Sequence, residues 1–264
     1  MQMALLNGIR LHFADTGPRD GPALLFANSL GTDFRVWDRL MPLLPEGLRT
    51  IRYDKRGHGL SECPAAPYPM GDLVADAAAL LDHLEAGRAV LVGLSIGGQI
   101  VQGLAAERPD LARAMVLVGT AAKIGTDEMW DQRIEAINRG GIAALEEQIL
   151  TRWFTRKFRA ERQDELAGWR HMLCRTPEDG YVGCCYAIRD TDLRASTARL
   201  TLPTLAVAGD EDGATPPDLV RETAGLIAGG RFELIHGAGH LPPVEQPEML
   251  AQHITSFLRE NGLV

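Results

Sequence analysis

The sequence has only four cysteines in 264 residues, two of them adjacent and the rest unevenly spaced, which does not look like a disulfide framework. They stand at Cys63, Cys174, Cys184 and Cys185, and no C-x-x-C pair occurs that could seat a zinc ribbon. No stretch approaches the roughly 18 consecutive apolar residues of a membrane-spanning helix, so no membrane association is expected. The start, MQMALLNGIRLHFADTG, has no basic segment followed by an apolar one, and no secretory leader is expected. Basic residues are in the minority: 27 Lys and Arg face 35 Asp and Glu, a formal net charge of −8. That balance argues against a nucleic-acid partner, which usually meets a basic face. It does not exclude an anionic small molecule, because one local cation can outweigh the global field. These absences together predict a cytoplasmic protein with reduced thiols.

What the sequence does contain is an alternation. Short apolar runs at Ala23–Ala27, Arg49–Tyr53, Ala89–Val92, Ala114–Val118, Thr204–Ala208 and Arg231–Ile235 read as buried strands. Ala4–Leu6 and Arg10–Ala14 flank Asn7-Gly8, a strong hairpin signal. Helical periodicity fills the gaps at Gly71–Ala86, with Asp72 as its expected cap, at Gln99–Arg108, and at Pro247–Glu260. Strands alternating with helices predict an α/β architecture with a mostly parallel sheet. The rhythm breaks between residues 123 and 200, which hold three of the four tryptophans and no convincing strand. The expected organisation is a core of residues 1–122 and 201–264 with a helical cap inserted at 123–200.

One segment raises a chemical question. VLVGLSIGGQIV places Gly93 and Gly97 two residues either side of Ser95, between a strand and a helix. That pattern fits a nucleophile elbow, in which a strained turn exposes the central hydroxyl. A Gly-rich turn that merely packs helix on strand would look similar, whereas a phosphate loop would need a G-K-[ST] that is missing. A serine hydroxyl needs a base to become a nucleophile. Of seven histidines, His240 in GAGHLPPVEQP lies on a loop after the last strand and is the preferred base; His58 in DKRGHGLS is the rival. A carboxylate must orient that base, and VAGDEDGATPP offers Asp210, Glu211 and Asp212. Serine, then acid, then histidine is the chain order of α/β-hydrolases.

The chain resembles the α/β-hydrolase superfamily from end to end. Gly209-Asp-Glu-Asp212 matches the family's G-x-x-D, so the resemblance prefers Asp212 as the acid. DKRGHGLS matches its D-x-R-G-x-G-x-S loop, which makes His58 structural. The resemblance also implies an oxyanion hole built from the backbone N–H groups of Ile96 and Leu30. Where most relatives carry His-Gly, this chain has Asn28-Ser29. The segments NSLGTDFRVWD, GTAAKIG and GCCYAIRDTDLR are similar to those of enol-lactonases of the β-ketoadipate pathway. That likeness implies a small lactone substrate bearing a carboxylate, hydrolysed with no metal or organic cofactor. Asn28, Ser29, Trp130 and Arg133 are its expected substrate contacts; Lys123 and Arg152 are further cations of the cap. Other chemistries on the same fold are a carboxylesterase, a perhydrolase, a carbon–carbon bond hydrolase, or a receptor that binds without turnover.

Overall fold

A computed structural model describes residues 1–264. Eight strands form one sheet: β1 (Gln2–Leu6), β2 (Ile9–Thr16), β3 (Ala23–Ala27), β4 (Arg49–Tyr53), β5 (Ala89–Leu94), β6 (Ala112–Val118), β7 (Thr204–Gly209) and β8 (Arg231–Ile235). Their order is β1-β2-β4-β3-β5-β6-β7-β8. The first two pairings are antiparallel and the rest parallel. Every residue of β3, β5 and β7 is buried, as continuous apolar runs demand of strands covered on both faces. The β1–β2 turn uses Asn7 and Gly8 at φ +46° and +80°, the left-handed pair that a two-residue hairpin requires.

Helices α1 (Met70–His83) and α2 (Ile96–Glu107) follow β4 and β5. Between β6 and β7 lie α3 (Asp127–Gly140), α4 (Glu146–Trp153), α5 (Arg156–Glu161), α6 (Gln163–Cys174), α7 (Glu178–Asp190) and α8 (Arg194–Thr197), with no strand among them. The chain closes with α9 (Pro217–Leu226), α10 (Pro242–Glu245) and α11 (Pro247–Glu260). Trp130, Ile149, Trp153, Leu173 and Tyr181 of the long insertion join the same continuous apolar core as the sheet. No helix is long and apolar enough to cross a membrane.

Two local expectations need correction. Helix α1 starts at Met70 behind Pro69, which makes no side-chain cap, and Asp72 lies inside the first turn. Asp72 is diverted because Arg56 donates to it at 2.7 Å while also forking onto the buried Asp76. Helix α2 starts at Ile96 rather than Gln99, so both poor helix formers Gly97 and Gly98 are helical. Tertiary contact, described next, overrides their propensity.

Candidate active site

The loops after β3, β5, β6, β7 and β8 all leave from the carboxyl ends of the parallel strands, the edge where α/β sheets build their sites. Ser95 links β5 to α2 at φ +59° and ψ −121°, a left-handed conformation costing on the order of 1–3 kcal/mol. The surroundings impose it. Its N–H donates to the Val118 carbonyl at 3.0 Å, and its own carbonyl accepts from Thr120 Oγ1 at 2.6 Å. The glycines matter through contact. A Cβ on Gly97 would stand 2.0 Å from the carbonyl oxygen of Ala27 on the neighbouring strand, and one on Gly93 2.3 Å from the Gly97 oxygen. Gly98, which the G-x-S-x-G pattern does not include, is equally constrained: its Cβ would lie 2.3 Å from Thr120 Cγ2.

His240 and Asp212 meet across two loops. The His240 Nδ1 lies 2.9 Å from Asp212 Oδ2 and 3.1 Å from Oδ1, with both residues buried. Asp212 also accepts from Ala214 N–H at 2.7 Å, Thr215 N–H at 2.9 Å and Thr215 Oγ1 at 2.8 Å. Three neutral donors fix the carboxylate without neutralising it, so Nδ1 carries the imidazole proton and Nε2 is left as an acceptor. Asp210 does something else. It pairs with His236 at 2.9 Å and accepts from Gly237 N–H at 2.8 Å, bracing the loop that carries His240. His236 itself falls just beyond β8 rather than within it.

The loop after β3 gives a mixed outcome. Ser29 and Leu30 line the same cavity as Ser95 and His240. The N–H groups of Leu30 and Ile96 are not used by any hydrogen bond within the chain. Asn28 does not reach the cavity: it is fully buried, and its Nδ2 donates to the Thr32 carbonyl of its own loop. The amide nitrogen of Asn28 is spent on closing the turn while its Oδ1 is buried without a hydrogen-bond partner, so the structure does not bring Asn28 to the expected substrate contact. His58 is also buried, accepts the Gly31 N–H on Nε2 at 3.0 Å, and does not line the cavity.

The cavity is small, about 50 Å³, and is lined from the insertion by Ile124, Met129, Trp130, Arg133, Arg152, Trp153, Tyr181 and Ile188. Ordinary ligand sites hold roughly 300–1,000 Å³, so admitting a substrate requires these side chains to move. Arg133 lies over the Trp130 ring, 5.0 Å from its centroid, while the indole N–H donates to the Ile124 carbonyl at 2.7 Å. Arg152 was the less favoured cation in the sequence, yet it stands in the same cavity. Burial, and then the charge of Arg133, hold its guanidinium below the ordinary arginine value. Neither arginine has a carboxylate partner. Lys123, by contrast, is spent on Asp127 at 3.1 Å and on the Arg189 carbonyl. A larger space of about 530 Å³ beside His12, Arg35 and Arg175 contains none of the candidate residues.

The insertion also holds the reactive loops in place. The carbonyls at the end of α4 accept backbone N–H groups: Arg152 from Gly213 at 3.3 Å, and Trp153 from His240 at 2.8 Å. Glu245 ties Thr155 Oγ1, at 2.7 Å, to Gly239 N–H, also at 2.7 Å. Thr120 and Glu245 carried no pattern in the sequence, since each acts through a partner distant along the chain; Thr215 and Tyr181 were likewise unmarked. A hydroxyl on a strained turn and a carboxylate-backed imidazole at one small cavity, with unused N–H groups on Leu30 and on Ile96 next to Ser95, suit acyl transfer.

Comparison with known proteins finds relatives that span nearly the whole chain. A family profile described as alpha/beta hydrolase fold matches residues 22–247. The chain is 32% identical over 260 residues to 3-oxoadipate enol-lactonase 2 of Acinetobacter baylyi, covering 95% of this chain and 94% of that protein. It is 33% identical over 253 residues to 3-oxoadipate enol-lactonase 1 of the same organism, covering 96% and 94%. Among solved structures, the enol-lactonase from Burkholderia xenovorans LB400 superposes with a TM-score of 0.94 at 35% identity, covering 98% of this chain and 100% of that one.

Proposed function

We propose that this chain, which belongs to the alpha/beta hydrolase family, is a serine hydrolase that opens 3-oxoadipate enol-lactone to 3-oxoadipate. Ser95 is the nucleophile, His240 the general base and Asp212 the residue that orients it. Ser95 Oγ attacks the ring carbonyl as His240 Nε2 takes the hydroxyl proton. Charge develops on the carbonyl oxygen, where the Leu30 and Ile96 N–H groups receive it. The ring C–O bond then breaks, and the enolate takes a proton and tautomerises to a ketone. The leaving group is part of the acyl chain, so it stays covalently attached until His240 activates water against the Ser95 ester.

The observation that carries the substrate assignment is a pair of half-buried guanidiniums without a carboxylate partner, Arg133 and Arg152, lining the cavity of Ser95. A half-buried cation pair without an acid suits a carboxylate, and the lactone's carboxylate arm supplies one. Trp130, Tyr181 and Ile188 offer the apolar surface that a five-membered ring requires. The likeness to two enol-lactonases supports the same reading. Residues 123–200 serve as a cap that opens to admit the lactone and seals it from water.

The test is a substrate panel run on the wild type and on Ser95→Ala. The enol-lactone should give a far higher kcat/KM than p-nitrophenyl esters, and Ser95→Ala should abolish both. Turnover of neutral esters with none of the enol-lactone would refute the substrate and leave a serine esterase. Turnover that persists in Ser95→Ala would refute the nucleophile.

A further inference from the structure

The loop motif Asp54-Lys-Arg-Gly-His58 is tied to the site by two contacts. Ser29 C=O and Leu30 N–H are opposite ends of one planar peptide group. The residue at the nitrogen end, Leu30, lines the cavity that holds Ser95. The oxygen end accepts Lys55 Nζ at 2.5 Å, with Thr32 Oγ1 on the same oxygen at 3.0 Å. The following peptide is fixed by His58, whose Nε2 accepts the Gly31 N–H at 3.0 Å. Thus both peptide planes that flank Leu30 are anchored to one short segment.

Lys55 is 1% exposed and forms no ion pair. Its acceptors are two backbone carbonyls, Ser29 and, at 3.3 Å, Thr32. A buried ammonium without a carboxylate partner is a net cost to folding, which makes a purely structural reason for it weak. Nor are the carbonyls in need of it, since Thr32 Oγ1 serves the Ser29 oxygen and Asn28 Nδ2 serves Thr32. What the ammonium can supply is orientation and polarisation. A cation on the oxygen end resists a flip of the peptide and strengthens the donor at the nitrogen end, an effect enlarged in a water-poor interior.

We propose that Lys55 is a positioning residue of the oxyanion hole, aiming and strengthening the Leu30 N–H through the Ser29 carbonyl; this rests on the serine-hydrolase reading above. The surrounding charges are consistent with an ammonium poised near neutrality. Burial lowers its pKa to about 8, against the pull of Cys184, Asp54 and Asp33. His58 is held well below its ordinary value by burial and by Lys55, so it stays a neutral acceptor.

Activity should therefore fall as pH rises through about 8, where the ammonium becomes an amine. Stability should move the other way. The unfolded chain binds this proton more tightly than the folded one, so folding gains from about pH 8 up to the ordinary lysine value near 10.5. A residue that merely held the fold would move both together.

The experiment uses the full chain with Lys55→Met and Lys55→Gln, the latter a neutral donor. Readouts are kcat and KM on p-nitrophenyl acetate, the rate of Ser95 modification by a fluorophosphonate, and Tm, each from about pH 6 to about pH 10. Lys55→Met should lose about 10- to 100-fold in kcat and in labelling rate with little change in KM, and keep or raise Tm near pH 7. Lys55→Gln should lose less and lack the alkaline fall. Wild-type kcat in Lys55→Met, or an unchanged alkaline limb in Lys55→Gln, overturns the proposal. If neither variant folds, a wild-type rate flat from about pH 7 to about pH 10 overturns it alone, and a fall centred near 8 supports it. A wild type that neither turns over esters nor reacts with the fluorophosphonate defeats the hydrolase reading instead.

Discussion

Gly97→Ala adds one methyl group, and its consequence can be worked from coordinates. The new Cβ would lie 2.0 Å from the Ala27 carbonyl oxygen and 2.6 Å from its carbon. An ordinary van der Waals contact is 3.4–4 Å, so α2 and the end of β3 must separate by more than 1 Å. Both obstacles are backbone, and neither can swing aside as a side-chain tip could. Overpacking of this kind costs about 1–3 kcal/mol, which for a chain of this size lowers Tm by roughly 2–10 °C. The functional loss should be larger in proportion. Ala27 leads directly into the loop carrying Leu30, while Gly97 follows directly on Ile96. The separation therefore pulls apart the two N–H groups assigned to the oxyanion hole, and a misplacement near 1 Å can cost about 100-fold in rate. The assay pairs thermal unfolding with kcat on the lactone. A variant with wild-type Tm and wild-type kcat would show that the strand and helix are not in this contact, and the account of the turn would fall.

Other expectations are independent of that contact. Ser95→Ala, His240→Ala and Asp212→Asn should each lower turnover by roughly 10⁴- to 10⁶-fold and combine non-additively, with folding intact by circular dichroism. Asp210→Asn should cost far less; if it proves the more damaging change, the acid has been misassigned. Arg133→Ala and Arg152→Ala should each raise KM for the carboxylate-bearing lactone by about 10- to 150-fold, and much less for an uncharged lactone of similar size. Equal losses on both lactones would show that the arginines hold the cap rather than the substrate. Gly168→Ala, inside α6 with nothing within 4 Å of the added Cβ, should raise stability by about 0.5–1 kcal/mol in denaturant unfolding without changing kcat.

Legibility in the sequence followed how local each signal was. The apolar runs of β3, β5 and β7 announced themselves because those strands are buried on both faces, and Asn7-Gly8 announced its hairpin by turn chemistry alone. The cap expected of Asp72 failed because a guanidinium distant in the chain competes for the carboxylate. Candidates for the site were readable as residue types in order along the chain; their convergence in space was not. Asn28 shows the opposite case, a residue singled out by its departure from family pattern whose amide nitrogen braces its own turn. Glu245 and Lys55 were silent because their meaning lies entirely in partners 90 and 26 positions away. A net charge of −8 likewise gave no hint of two unpaired arginines in one cavity.

The last turn of α4 deserves a different kind of reading. A helix end leaves carbonyls without partners, and here those of Arg152 and Trp153 are taken up by Gly213 and His240. The insertion is thus not an accessory laid over a finished enzyme. The loops of Gly213 and His240 are held by backbone bonds to it, so on the proposed mechanism a nascent or partly unfolded molecule whose insertion is loose would be inactive even toward substrates too small to need a lid. The same dependence restricts domain recombination. A cap borrowed from a relative would have to bring not only a new substrate lining but also a helix terminus placed to receive these two amides, and grafts that preserve residues 152–155 should succeed where wholesale exchange does not.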